Sequence, residues 1–560
     1  MQPTYEVEMR LNVKTPMRDG INLSSDVYLP KAAGPFPTVL IRTPYGNNSE
    51  NLIRRARALA NIGYACVVQD TRGRWDSEGE FRPFFNEADD GRDTHEWIGQ
   101  QPWSNGKIGT SGGSYLGITQ WLSAPDSSEY LTCMSPRVIC TEFFTGLAPG
   151  GAFQLGVMFT WGMSQHGRTV QSIEFHNWTE EFHRLPIAKQ PTYAGREIDF
   201  WADWVEHPTY DDLWASINVQ EHWGDITVPA FNMGGWYDLW ASNTFENFVG
   251  MREHGGSEAA RKSKLIVGPW PHALSASTRV GEIDFGAQSM ADLETMELQW
   301  LDYWLKGKDN GVLDEAPIKL FIMGINQWRD EYEWPLARTD WQTWYLHSDG
   351  HANTLRGDGT LSMDAPNEEP SDSYVYDPRY PVQTKGGNTC CAPHVVPWGP
   401  YDQRSVEMRS DVLCYTTPPL TEDTEVTGPI TLILYASTDC PDTDWTAKLV
   451  DVSPSGYAKN LCDGIIRARF RESYSDPTLL EPNKIYEYEI HVGVTGNVFR
   501  KGHSIRLEVS SSNFPRFARN LNTGYEFAGG TEMRTASQTI YHRAEYASRL
   551  VLPVISNETN

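Results

Sequence analysis

Positive charge is the first thing this chain is short of. Its 47 Lys and Arg face 73 Asp and Glu, and the net charge of −26 argues against nucleic acid or an anionic membrane as partner. The acidic balance reads as a well-solvated surface. Long apolar runs are also missing: no stretch approaches the ~20 residues a spanning helix needs, so the chain is not expected to cross a bilayer. The opening MQPTYEVEMRLNVKTPMRDG has no signal-type apolar core and passes directly into strand-like alternation, which points to the cytoplasm. Asn-x-Ser/Thr triplets, such as Asn177-Trp178-Thr179, carry no weight without export. Cysteine is sparse, eight in 560 residues, and none forms the C-x-x-C spacing of a metal site. The adjacent Cys390-Cys391 reads as incidental. His95-Glu96 lacks the second histidine of H-E-x-x-H, so a zinc protease is not indicated. No metal and no organic cofactor is called for.

What the chain does have is length for two to four domains and many aromatic residues, 12% of the total with 21 Trp, enough for large cores and an aromatic-walled pocket. The organising stretch is residues 107–124, KIGTSGGSYLGITQWLSA: a strand, a glycine-rich turn, and a helix from about Tyr115. A serine at such a corner projects its hydroxyl beside the free amides of a starting helix, the geometry of a nucleophile elbow. Two serines compete. Ser111 fits G-x-S-x-G literally, whereas Ser114 has Leu116 in place of the second glycine and Gly117 after it. Helix energetics favour Ser114, because a helix starting after Ser111 would open on two glycines at about 1 kcal/mol each relative to alanine.

Taken in order, residues 6–29 alternate as a hairpin turning at Arg18-Asp19-Gly20. Residues 37–41 and 64–69 are buried-strand runs around a helix at 51–62, and a helix at 87–100 leads to the serine strand. This alternation implies a parallel sheet. The charged loop after residue 69 holds Arg72, either at the catalytic edge of that sheet or in a structural ion pair with Asp89, Asp90 or Asp93. After a strand at 131–139 the rhythm stops. Residues 141–218 are helical and rich in Trp, Phe and His, and read as an inserted cap. Trp161, Phe159 and Phe153 are candidates for a substrate pocket, with plain core as the alternative. The sheet resumes at 227–233 and leads to Asp238; the next strand, 264–267, leads to His272. The chain order Ser, Asp, His, each at a strand end, is that of an α/β-hydrolase. An amphipathic helix follows at 292–306, closed by Gly307. From about residue 344 the pattern becomes alternating strands, at 430–435, 445–452, 485–492, 505–509 and 539–546, an all-β sandwich.

PYG at 44–46, QDTRGRWDSEGEF at 69–81, GGSYLGITQW at 112–121, GGWYD at 234–238 and GPWPH at 268–272 together resemble the CocE/NonD family of serine hydrolases. That group includes cocaine esterase, glutaryl-7-ACA acylase and α-amino-acid ester hydrolases, and is related to the Xaa-Pro dipeptidyl-peptidases. The family elbow, G-x-S-Y-x-G, accounts for Leu116 and selects Ser114. The resemblance implies an α/β-hydrolase core at 1–141 and 225–345, a helical cap at 142–224 and a C-terminal jelly-roll domain at 346–560. It further implies Ser114 as nucleophile, His272 as general base and acid, Asp238 as the orienting carboxylate, and an oxyanion hole formed by Tyr45 with the backbone N–H of Tyr115.

The expected activity is hydrolysis of a small-molecule carboxylic ester. Relatives acting on α-amino-acid esters hold the ammonium with carboxylates placed shortly after the triad aspartate; here Leu239-Trp240-Ala241 follow Asp238, and Trp240 suggests an apolar acyl pocket. An amide-cleaving acylase or Xaa-Pro-type dipeptidyl-peptidase is the alternative, and a catalytically silent ligand-binding relative is an alternative of another class. A homo-oligomer stays open. The loop at 388–404 is long and irregular, facing a site or packing domains together.

Overall fold

The computed structural model describes residues 5–525 and 527–556. Its first half is built on a ten-stranded sheet. The strands are β1 (Val7–Pro16), β2 (Asn22–Pro30), β3 (Phe36–Thr43), β4 (Ala65–Asp70), β5 (Ser104–Gly113), β6 (Leu131–Arg137), β7 (Phe231–Gly235) and β8 (Lys264–Gly268). A small hairpin, β9 (Arg279–Val280) and β10 (Ile283–Asp284), stands apart from the sheet, and β11 (Ile318–Ile322) and β12 (Gln327–Glu331) complete it. The order is β1-β2-β4-β3-β5-β6-β7-β8-β11-β12. From β4 to β11 every pairing is parallel, and antiparallel strands close both margins.

Strands β4, β7 and β8 are buried at every residue, as strands covered on both faces are. Helices Glu50–Asn61 and Leu293–Lys306 pack into one core with β3 and β4, through Ala56, Leu59, Trp300, Leu301 and Leu305. The second of these helices starts at Asp292, whose carboxylate accepts from the Thr295 N–H at 3.0 Å. It ends at Gly307 in the left-handed conformation (φ 65°), as the sequence predicts. Strand β7 begins later than the pattern suggests, at Phe231 rather than 227, because Pro229 has no N–H to give a ladder.

Between β6 and β7 run short helices, among them Phe143–Leu147, Leu155–Gln165 and Trp201–Val205. Their aromatic side chains, including Phe143, Phe159, Trp178, Trp201 and Trp204, form a core continuous with the helix that follows Ser114.

The second half is a twelve-stranded sheet assembly that opens with strand Thr339–His347, paired antiparallel to Arg549–Ile555. Its strands outrun their sequence signatures: Thr424–Thr438 and Tyr486–Phe499 pair through thirteen registered positions with one bulge. The two halves are joined at the carboxyl end of β7. There Trp236, held within the first half by donating from Nε1 to the Phe321 carbonyl at 2.7 Å and by stacking on Phe245, packs against Gly496 of the second. Tyr237 donates its hydroxyl to the Asn460 carbonyl at 3.3 Å.

Candidate active site

Strand β5 turns into the helix Tyr115–Leu122 through Ser114, whose φ of 55° and ψ of −131° lie in a region non-glycine residues avoid. The turn is held by the Ser114 N–H, which donates to the Arg137 carbonyl on β6 at 2.9 Å. Gly112 is required twice over: its φ is +140°, and a Cβ there would lie 2.5 Å from Leu116 Cβ. Gly117 faces Ile139, where a Cβ would sit 2.5 Å from a methyl carbon. The tight neighbour after the serine is thus at the third position, and Leu116 packs, half-buried, against the core beside β3 and β4. The N–H of Tyr115 belongs to the first helical turn, which has no intrahelical acceptor.

Ser111 has another occupation. Its buried hydroxyl donates to Glu297 Oε1 at 2.5 Å and accepts from Arg55 at 2.9 Å. Burial alone would raise the Glu297 carboxyl, but Arg137 and Arg55 hold it below its ordinary value. The structure places this serine in an ion-pair network under the elbow, and the literal G-x-S-x-G match is structural.

Asp238 and His272 follow adjacent strands, β7 and β8, and meet: His272 Nδ1 lies 2.6 Å from Asp238 Oδ2. The aspartate is fully buried, its other oxygen accepting from the Trp240 N–H at 2.9 Å. His272 Nε2 is shielded from solvent and, among the described residues, has no hydrogen-bond partner. It is therefore not bonded to Ser114. The Ser114 hydroxyl lies instead near the Tyr45 phenol, which burial raises above its ordinary value while Trp161 and Ser114 oppose the shift.

The Tyr45 oxygen accepts from Trp161 Nε1 at 3.0 Å. The Trp161 ring lies nearly parallel to that of Tyr115, centroids 5.9 Å apart. Tyr115 in turn is locked by its hydroxyl, which donates to Glu87 at 2.8 Å and accepts from the Phe84 N–H at 3.0 Å. Trp240 stands edge-on to the His272 ring at 5.8 Å and donates to the Gly146 carbonyl at 2.9 Å. Phe153 is buried against Trp201 and Phe527 and lines a cavity together with Leu147, Trp204 and Trp214. Phe159 is fully buried core.

Several residues around these groups were not identifiable from sequence. Buried Arg74 donates to the carbonyls of Pro44, at 2.9 Å, and Gln165, at 2.6 Å, tying the Tyr45 loop to the end of helix Leu155–Gln165; burial lowers its pKa to about 10. Its charged loop was a visible signal, but the carbonyl partners were not. Arg72, in the same loop, pairs with Asp90 and Asp19, so the ion-pair alternative holds with one partner unforeseen. Asn388 donates to the carbonyls of Trp236, at 2.8 Å, and Asp238, at 2.9 Å, from 150 residues away. Cys390 and Cys391, read as incidental, are joined as a disulfide.

Comparison with known proteins fits this arrangement. Residues 19–274 match the model described as X-Pro dipeptidyl-peptidase (S15 family), and 310–551 match the X-Pro dipeptidyl-peptidase C-terminal non-catalytic domain. Cocaine esterase of Rhodococcus sp. (strain MB1 Bresler) is 38% identical over 97% of this chain and 98% of its own. The chain belongs to the CocE/NonD family of serine hydrolases. Among solved structures, an α-amino acid ester hydrolase superimposes on this CocE/NonD chain with a TM-score of 0.83 at 26% identity, covering 98% of this chain and 97% of that one. An aminopeptidase from a Thaumarchaeota archaeon gives 0.83 at 25% identity, with 99% and 97% covered. Among the described residues of this CocE/NonD hydrolase, no helix is long and apolar enough to cross a membrane.

Proposed function

We propose that the chain hydrolyses small carboxylic esters through an acyl-enzyme on Ser114. His272 takes the hydroxyl proton at Nε2 and later delivers it to the leaving alkoxide. Asp238 fixes the tautomer that keeps Nε2 unprotonated and stabilises the imidazolium formed in each step. The Tyr45 phenol and the Tyr115 N–H receive the oxyanion of the tetrahedral intermediate. The observation that carries this reading is the 2.6 Å contact of His272 Nδ1 with a fully buried Asp238, which leaves one imidazole nitrogen with a free lone pair. Tyr45 supports it: with Trp161 donating to its oxygen, the phenol proton is left for Ser114 or for an oxyanion in the same place. The missing Ser114–His272 bond is of the kind that commonly tightens only with substrate bound.

In this reading the helices between β6 and β7 form a cap, supplying Trp161, and the C-terminal half is a jelly roll that walls the site through residues 388–404. Leu239-Trp240-Ala241, with the Trp240 ring beside His272, suits an uncharged acyl group better than an ammonium. Amide cleavage is the second reading, favoured by the S15 dipeptidyl-peptidase match over 19–274. Burst release of p-nitrophenol from p-nitrophenyl acetate, lost in Ser114→Ala, tests the mechanism. Faster turnover of Ala-Pro-p-nitroanilide than of the ester would replace the esterase reading with the peptidase one.

A further inference from the structure

The loop at 388–404 brings to His272 a pair of groups that ester hydrolysis does not use. Cys390 is buried and Cys391 exposed, and their two sulfurs and a ring nitrogen of His272 all lie within 4.8 Å of one another. Asn388, two residues before, clamps the carbonyls of Trp236 and Asp238, so the sulfurs are anchored to the strand end that carries the histidine's own partner. Of the imidazole nitrogens, Nδ1 is committed to Asp238, and Nε2 is buried with no partner among the described residues.

We propose that, once the disulfide is reduced, Cys390, Cys391 and His272 Nε2 form a three-ligand site for a thiophilic divalent cation, Zn²⁺ foremost, and that the bound cation holds the hydrolase inactive. Two thiolates and an imidazole with a fourth position open is a donor set zinc adopts, whereas Mg²⁺ and Ca²⁺ require oxygen. Tetrahedral Zn–S and Zn–N bonds of about 2.3 and 2.0 Å place the donors roughly 3.5–3.8 Å apart. Sulfurs freed from each other can open to that spacing inside the present cluster. Asp238 behind Nδ1 supplies the outer carboxylate that orients a zinc-binding histidine.

The steps balance. A small dithiol attacks the exposed Cys391 sulfur, breaking the S–S bond and forming a mixed disulfide. Its second thiol then displaces the chain and leaves as a cyclic disulfide, so two electrons and two protons pass to the cysteines. Zn²⁺ releases both thiol protons to solvent and takes the Nε2 lone pair. Ser114 then has no base. This inhibitory half rests on the reading of His272 as general base; the metal site itself does not. Oxidation removes both thiolates and protects the enzyme.

The test uses the full chain, reduced with a dithiol and desalted without air, titrated with Co²⁺ while Zn²⁺ is titrated against p-nitrophenyl acetate hydrolysis. One Co²⁺ per chain with a near-ultraviolet thiolate band is expected, together with a loss of hydrolysis in Zn²⁺ of about tenfold or more that EDTA reverses. The oxidised chain should show neither. Cys391→Ser, at an exposed position, and Cys390→Ser should each lose the band and the zinc response, measured against their own metal-free rates. Absence of the band from the reduced chain, or equal zinc sensitivity in the oxidised chain and both variants, would overturn the site. A band without any loss of hydrolysis overturns the inhibitory half alone. Hydrolysis that survives Ser114→Ala marks failure of the functional reading instead.

Discussion

Two residues separate Ser111 from Ser114, and the environments diverge completely: one hydroxyl is consumed by Glu297 and Arg55, the other lies near Tyr45. Ser114→Ala should therefore cut kcat by about 10³-fold or more, while Ser111→Ala should change it by less than about tenfold and lower stability by about 1 kcal/mol. Steady-state kinetics and urea unfolding of the two variants check this, and an inactive Ser111→Ala with wild-type stability would reverse the assignment. Asp70, at the end of β4, carries a pH signature. Burial pushes its carboxyl up to about 7 from 3.8, against the Asn47 N–H that donates to it at 2.7 Å. Between these values the folded chain keeps a proton that the unfolded chain has released, so this group's contribution to stability falls as pH rises through that window. Asp70→Asn removes the slope. Its Tm relative to wild type should climb from pH 4.5 to pH 8, and a constant difference would contradict the assignment.

At the scale of elements, the elbow depends on glycines whose neighbours leave no room. Gly112→Ala brings a Cβ to 2.5 Å from Leu116 at a φ of +140°, and is expected to cost about 1–3 kcal/mol in urea unfolding and to depress kcat by displacing the serine turn. Wild-type stability in that variant would mean the turn is not held as described. This corner was legible in the sequence because its causes are local: a glycine run, a helix start, and strand ends carrying Asp238 and His272. Ser114 over Ser111 could be argued from helix energetics alone, since the rival would have opened a helix on Gly112 and Gly113. What pattern could not carry was contact across distance. Nothing near Arg74 announces Pro44 and Gln165 as its acceptors, and aromatic spacing could not separate Trp161, which bonds Tyr45, from Phe159, which is core.

Across the whole molecule, the C-terminal half reaches the strand end that holds Asp238. Asn388→Ala strips two buried carbonyls of their donor, a cost of about 1–3 kcal/mol, and should lower kcat more than it changes KM, because Asp238 loses support while the substrate walls stay. An unchanged kcat would leave residues 388–404 without influence on the proposed triad. Asn388 and Cys390-Cys391 sit in an irregular loop whose destination no periodicity reveals, so this part of the site needed coordinates.

The tryptophan that steadies the Tyr45 phenol is borne by the helix Leu155–Gln165, whereas the tyrosine itself hangs from the sheet. The proposed oxyanion donor is thus tied to the helices between β6 and β7 through one hydrogen bond. In the proposed mechanism an acyl chain bulky enough to displace that helix would also disturb the phenol, so kcat as well as binding should fall along a series of p-nitrophenyl esters of increasing acyl size, and a constant kcat would contradict the coupling.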